Sequence, residues 1–177
     1  AERLKSGQQT IADAFEDTTI LFADIVGFTT LSERTSPDKL VAMLNTLFSR
    51  FDDLTEKHGL EKIKTIGDAY MVVAGLPEHR HDHAQAIAAM ALDMHRTMTH
   101  FNASTGHALE LRIGINSGAV TAGVIGKKKF SYDLWGDAVN TAARMESHGI
   151  PGEIQVSQTT YDLLKDTFAF EERGLIE

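Results

Sequence analysis

Apolar positions along the chain alternate between short continuous runs and longer stretches with helical spacing. The run from Ile20 to Ala23 is typical of a fully buried strand, and a helix that opens at Phe28 follows it almost at once. Ser36 and Pro37 favour the start of a second, long amphipathic helix, which Gly59 ends. The first third of the chain therefore predicts one buried strand followed by two helices.

The remaining pattern completes a predicted order of βαββαββαβαβ, in which the two helices after the first strand count as one helical segment. Turn residues between apolar runs indicate two hairpins, and longer periodic stretches indicate helices. The predicted elements are strands from Glu61 to Ile66 and from Ala69 to Ala74 joined at Gly67-Asp68, a helix from Asp82 to about Asn102, strands from Leu109 to Ile115 and from Ala119 to Ile125 joined at Asn116-Ser117-Gly118, a helix from Trp135-Gly136-Asp137 to Met145, and a strand–helix–strand unit from Glu153 to Arg173. This order predicts an α+β domain with a mixed, largely antiparallel sheet backed by helices.

Length and composition favour a single domain. The chain has 177 residues, of which 42% are hydrophobic, enough for one sizeable core. Residues 1–17 are polar and weakly periodic, so we predict a linker or entry helix there and place the domain at residues 18–177. Because the chain opens on Ala1 and stops in mid-pattern at Glu177, we expect it to be a piece of a longer protein.

Charge and cysteine content limit which binding partners and which cellular compartment we expect for the protein. The formal net charge of −8 disfavours nonspecific binding to nucleic acid or to an anionic membrane surface. The sequence contains no cysteine, which excludes disulfides and thiolate chemistry and fits a reducing compartment, so we expect a cytoplasmic location. No apolar run approaches the roughly 18 residues that cross a bilayer, so we expect no membrane contact by this segment. A membrane anchor or sensor outside it stays open.

Two aspartates lie where apolar strands end and turns begin. Asp24 follows the first buried strand, and Asp68 stands at the tip of the first predicted hairpin. Either one alone is more simply a helix cap or a turn residue, but together they indicate a site for two metal ions, and oxygen ligands favour Mg²⁺ or Mn²⁺. Gly27 permits a close backbone approach, and the N–H groups of Phe28 and Thr29 would point at a phosphate.

Four segments in this order resemble the catalytic domain of class III nucleotidyl cyclases, of the bacterial homodimeric adenylyl cyclase type. They are Phe22 to Thr29, Glu61 to Asp68, Leu111 to Gly118 and Tyr132 to Arg144. The resemblance covers residues 18–174. It implies a ferredoxin-like core and a head-to-tail homodimer whose two active sites each draw residues from both protomers.

The resemblance also implies a role for each matching position. Asp24, Asp68 and the backbone carbonyl of Ile25 would hold two Mg²⁺ or Mn²⁺ ions per site. Lys64 and Asp133 match the positions that read the purine, and a lysine donor with an aspartate acceptor is complementary to adenine. The implied substrate is therefore ATP.

The remaining matches concern the phosphates and the ribose. Asn140 and Arg144 are four residues apart on a predicted helix and so share one face. The resemblance assigns Asn140 to the ribose and Arg144 to the charge that grows on the α-phosphate, while Arg112 matches a phosphate-contacting arginine. The implied lyase reaction converts ATP to 3′,5′-cyclic AMP and pyrophosphate. Since Lys64 and Asp68 would serve opposite sites of the dimer, a monomer should be inactive.

Several alternatives remain open at this point. A guanylyl or relaxed-specificity cyclase, or a catalytically silent cyclase-like dimerisation module, would share most of these motifs. Lys64 could pair only with a neighbour such as Glu61, and Arg144 could form an ordinary surface salt bridge. The family usually continues past Arg173 into a Lys-Gly-rich segment, so we expect a domain truncated at its C-terminus. The histidines between His79 and His83 lie in a polar loop, and we predict no metal there.

Overall fold

A six-stranded sheet with helices on both faces organises the fold. The computed structural model describes residues 11–126 and 131–171. The strands are β1 (Ile11–Val26), β2 (Glu61–Ile66), β3 (Ala69–Ala74), β4 (Glu110–Ile125), β5 (Ser131–Trp135) and β6 (Ile154–Val156). The helices are α1 (Phe28–Arg34), α2 (Pro37–Lys57), α3 (His83–Thr105), α4 (Asp137–Ser147) and α5 (Gln158–Leu164).

The sheet is mixed and largely antiparallel, as predicted. Its strand order is β2-β3-β1-β4-β5, and β6 pairs in parallel with the first half of β4. The pairing of β1 with β4 runs from Ile11↔Val124 to Val26↔Glu110 and forms the centre of the sheet. The predicted α+β class is confirmed.

Side-chain alternation gives each face of the sheet its own core. On one face, Leu21 and Ile113 are fully buried and pack with Phe51 of α2 and Met94 of α3. On the other face, the buried residues are Ile20, Met71, Val73, Leu76, Val120, Ala122, Leu134 and Ala142 of α4. The sheet curls around this second core far enough for its two edge strands, β2 and β5, to contact each other.

The predicted turn in the second hairpin is wrong. Residues 116–118 lie inside β4, which continues without a break to Ile125. Asn116 and Ser117 are each only 5% exposed, and neighbouring elements satisfy their side chains. Ser117 Oγ lies 2.8 Å from Thr19 Oγ1, and the Asn116 amide donates to the Ala138 carbonyl at 3.0 Å. These polar residues therefore serve tertiary contacts instead of a turn.

The N-terminal boundary also differs from the prediction. Residues 11–17 form the first part of β1 and pair with the far end of β4, so no linker or entry helix lies there. A bulge between Phe15 and Thr18 interrupts the alternation, which explains why the sequence pattern looked weakly periodic. Strand β5, directly before α4, was not predicted. Residues 1–10 and the predicted strand end at Arg173 lie outside the described residues.

Candidate active site

The pair predicted to read the purine is assembled within one chain. Lys64 Nζ donates to Asp133 Oδ2 at 2.6 Å, although β2 and β5 are opposite edges of the sheet. The curl of the sheet brings these edges together, and the register shift between Lys62 and Lys64 changes the alternation at this point of β2. Asp133 Oδ1 also accepts from the backbone N–H of Leu134 at 2.8 Å. Lys64 therefore pairs with Asp133 and not with Glu61.

The two candidate metal ligands face each other. Asp24 lies two residues before the end of β1, and Asp68 lies in the tight turn between β2 and β3, directly after Gly67 with its φ of +59°. Burial, together with a hydrogen bond and the negative charge of Asp68, raises the pKa of Asp24 to about 7. Two carboxylates close enough to share a proton make a donor set that a hard divalent cation would stabilise. The residues present thus fit the predicted Mg²⁺ or Mn²⁺.

Arg112 connects this acidic pair to helix α4. Its Nη2 donates to Asp24 Oδ2 at 3.2 Å, and its Nε donates to Glu146 Oε2 at 2.9 Å. The Glu146 side chain is 13% exposed, and burial raises its pKa while the Arg112 charge opposes the shift. The sequence reasoning missed Glu146. A carboxylate two residues after Arg144, at the end of the same helix, was the available signal.

Asn140 and Arg144 lie on the outward side of α4. Both are exposed, whereas Ala142 between them is fully buried. Gly136 precedes the helix, and its carbonyl accepts from the N–H groups of Val139 and Asn140 at 3.1 and 3.3 Å. In the part of the chain that the structure describes, neither Asn140 nor Arg144 has a side-chain hydrogen bond or ion pair. Both side chains therefore point away from their own domain.

The segment predicted to hold phosphate has the expected backbone. Gly27 has a φ of +91° and precedes α1, whose first hydrogen bond runs from Leu31 N to Gly27 O at 3.0 Å. The N–H groups of Phe28 and Thr29 open this helix, where the first turn has no intrahelical acceptor. The Ile25 side chain is buried in the core, which leaves its backbone for any ligand role.

One chain does not bring all the predicted groups into contact. Among residues 11–126 and 131–171, no hydrogen bond or ion pair joins Lys64 or Asp133 to Asp24 or Asp68. Within the same residues, no three histidine or acidic side chains form a metal-binding group. The described histidines from His79 to His83 belong to no such group, and His83, the first residue of α3, is buried and hydrogen-bonded to Thr19. No described helix is long and apolar enough to span a membrane.

This α+β domain has one aspartate near the end of its central strand, a second in the adjoining β2–β3 turn and a helix with an outward Asn and Arg. The combination corresponds to a class III nucleotidyl cyclase catalytic domain. The family model for the adenylate and guanylate cyclase catalytic domain matches residues 11–177. The chain belongs to this family.

Relatives of both specificities are similar to this chain. An adenylate cyclase of Mycobacterium tuberculosis is 50% identical over 177 residues, which are 99% of this chain and 40% of that protein. The receptor-type guanylate cyclase gcy-28 of Caenorhabditis elegans is 46% identical over 181 residues, covering all of this chain and 14% of that protein. The chain thus spans less than half the length of either relative.

A solved structure confirms the fold. The catalytic core of a rhodopsin-guanylyl cyclase with converted specificity, in complex with ATPαS, superposes with a TM-score of 0.89 at 43% identity. The match covers 94% of this chain and 90% of that one. The ferredoxin-like cyclase core predicted from the motifs is therefore the fold of this domain.

Proposed function

We propose that this domain is an adenylyl cyclase, which converts ATP to 3′,5′-cyclic AMP and pyrophosphate. The observation that carries the proposal is the 2.6 Å pair of Lys64 and Asp133. Adenine offers an acceptor ring nitrogen beside a donor amine, so a lysine donor next to an aspartate acceptor matches it. The mycobacterial relative named as an adenylate cyclase is consistent with this substrate. Guanylate cyclases are similarly close, so the substrate choice rests on these two side chains.

The second part of the proposal is a head-to-tail homodimer with two shared sites. Asn140 and Arg144 face outward, and they have no contact with the acidic pair of their own chain within the described residues. Two large apolar side chains near the candidate site are also exposed: Ile66 is 57% exposed beside Asp68, and Trp135 is 40% exposed beside α4. A partner chain would cover such residues and supply the missing half of each site.

Each candidate site residue then has a defined role in the reaction. Asp24, Asp68 and the Ile25 carbonyl would hold Mg²⁺ or Mn²⁺, which when bound acidifies the ribose 3′-hydroxyl and neutralises the triphosphate. Arg144 stabilises the charge that develops on the α-phosphate, because a guanidinium is always protonated and its fork fits phosphoryl oxygens. Asn140 orients the ribose. The N–H groups after Gly27 and the guanidinium of Arg112 contact phosphate oxygens.

The substrate is tested by incubating the protein separately with Mn·ATP and Mn·GTP. Cyclic AMP should dominate, and a dominant cyclic GMP product would overturn the adenine assignment. The matched variant Lys64→Glu/Asp133→Ser reverses the donor and acceptor pattern and should move the preference toward GTP. Nucleotide binding without any cyclic product, from the longer protein as well, would favour the silent dimerisation module.

A further inference from the structure

Three residues of β4 form the surface on which helix α4 lies. Gly114, Asn116 and Gly118 alternate along the strand with buried core residues, so they share the sheet face that α4 covers. A Cβ atom on Gly114 would lie 1.9 Å from the Glu146 nitrogen, and one on Gly118 would lie 3.0 Å from the Ala138 Cβ. Helix α4 therefore rests against the β4 backbone at both of its ends.

Asn116 makes the directional contact at the start of α4, whereas Arg112 and Gln155 bond Glu146 and the Met145 carbonyl at its end. The Asn116 Nδ2 donates to the Ala138 carbonyl in the first turn of α4 at 3.0 Å. Its Oδ1 accepts from the Ser157 hydroxyl at 2.5 Å, so both ends of the amide are fixed. Asn116 is only 5% exposed, so these two hydrogen bonds are largely shielded from solvent.

Glycine contacts alone do not fix the rotation of a helix about its axis. Close packing against a flat backbone resists approach, but it permits sliding and rolling, whereas a hydrogen bond to one carbonyl specifies a rotation. Asn140 and Arg144 follow Ala138 by two and six residues, and their side chains extend outward on the same helix. A rotation of α4 would therefore move both groups together, and a shift of about 1 Å in a catalytic group costs on the order of 10²-fold in rate.

We propose that Asn116 is a positioning residue of the cyclase: it fixes the rotation of α4 and thereby the placement of Asn140 and Arg144. This inference rests on the proposed function. It assigns a task to a residue that is not among the proposed nucleotide and metal ligands, and that the sequence pattern places in a turn. The hydrogen bond from Ser157 to Asn116 also connects Asn116 to α5, because Ser157 is the N-cap residue of that helix.

The test compares Asn116→Ala with Ser117→Ala in the purified protein. Ser117 is the adjacent residue and is equally buried, and its hydroxyl bonds Thr19 and Thr160, neither of which belongs to α4. Both variants should lower the melting temperature. Only Asn116→Ala should lower kcat for cyclic AMP formation, by about 10- to 100-fold, with KM for ATP within about twofold of the parent.

A double-variant cycle separates positioning from a general loss of stability. If Asn116 acts through α4, then adding Asn116→Ala to Arg144→Ala should cost less than tenfold further, because the group it positions is already gone. Full additivity of the two losses would overturn the proposal. So would a folded Asn116→Ala protein whose kcat matches that of Ser117→Ala.

Two controls keep the outcome decisive. If Asn116→Ala does not fold, Asn116→Ser, which retains a hydroxyl but cannot reach both partners, is measured in its place under the same criteria. If the parent protein makes no cyclic nucleotide from ATP or GTP, the proposed function fails. An active parent with an unaffected Asn116 variant refutes the positioning role alone.

Discussion

Adding one methyl group at Gly114 should displace the end of helix α4. The new Cβ would lie 1.9 Å from the Glu146 nitrogen, 2.4 Å from the Met145 carbonyl carbon and 2.5 Å from the Glu146 Cα. All three are backbone atoms, so no side-chain rotation relieves the overlap. Ordinary contact begins near 3.4 Å, and the helix must therefore retreat by about 1.5 Å, the difference of 3.4 and 1.9.

The size of the effect follows from this geometry. Overpacking of a well-packed core typically costs about 1 to 3 kcal/mol, and a purely backbone clash belongs at the upper end. The retreat also stretches the 2.9 Å bond between Arg112 and Glu146. For a domain of this size, about 3 kcal/mol lowers the melting temperature by roughly 6 to 12 °C.

Gly118→Ala is the matched control for Gly114→Ala. It makes the same substitution on the same strand and face, but its Cβ would meet only the Ala138 Cβ, at 3.0 Å. We expect a loss of no more than about 1 kcal/mol there. Thermal and urea unfolding of the two variants give the comparison. Equal melting temperatures, or a Gly114→Ala protein as stable as the parent, would refute the described seating of α4.

Three further outcomes are expected. Since the pKa of Asp24 is raised to about 7, its carboxyl is protonated below that pH and binds a cation less well. The Mn²⁺ affinity measured by calorimetry should therefore fall as the pH drops from 8 to 6, and a pH-independent affinity would contradict the metal site. The same raised pKa means that the ionised Asp24 carboxylate destabilises the folded protein above pH 7. At pH 8 without divalent metal, Asp24→Asn should therefore have a higher melting temperature than the parent, and it should also lose cyclase activity. Asp24→Ala and Arg144→Ala should each retain only a small residual activity. Mixing the two variants should restore about a quarter of the parent's activity, because half the dimers become mixed and each mixed dimer has one intact site. No recovery above the residual rates would contradict shared sites.

Local chemistry predicted much of the candidate site. The end of a buried strand placed Asp24, a Gly-Asp hairpin placed Asp68, and a four-residue helical spacing put Asn140 and Arg144 on one face. Each of these inferences needs only the neighbouring residues. The roles of these residues, by contrast, follow only from the family resemblance.

What the sequence could not supply depends on distant contacts. Asn116 and Gly118 are residue types that favour turns. Only the packing of α4 on β4 shows that Asn116 donates a hydrogen bond to the helix and that Gly118 leaves room for it. Glu146 belongs to the candidate site only because it accepts a hydrogen bond from Arg112, which lies 34 positions earlier in the chain. The early residues of β1 are polar and interrupted by a bulge, so their pairing with β4 leaves little periodic trace.

Helix α4 borders two different catalytic centres in the proposed dimer. Its outward side presents Asn140 and Arg144 to the partner's acidic pair, while Glu146 at its end is tied through Arg112 to Asp24 of its own chain. A single rigid rod of eleven residues thus connects both pockets. Occupancy of one pocket would then be transmitted mechanically to the other, and ATP saturation curves of this enzyme should depart from a simple hyperbola.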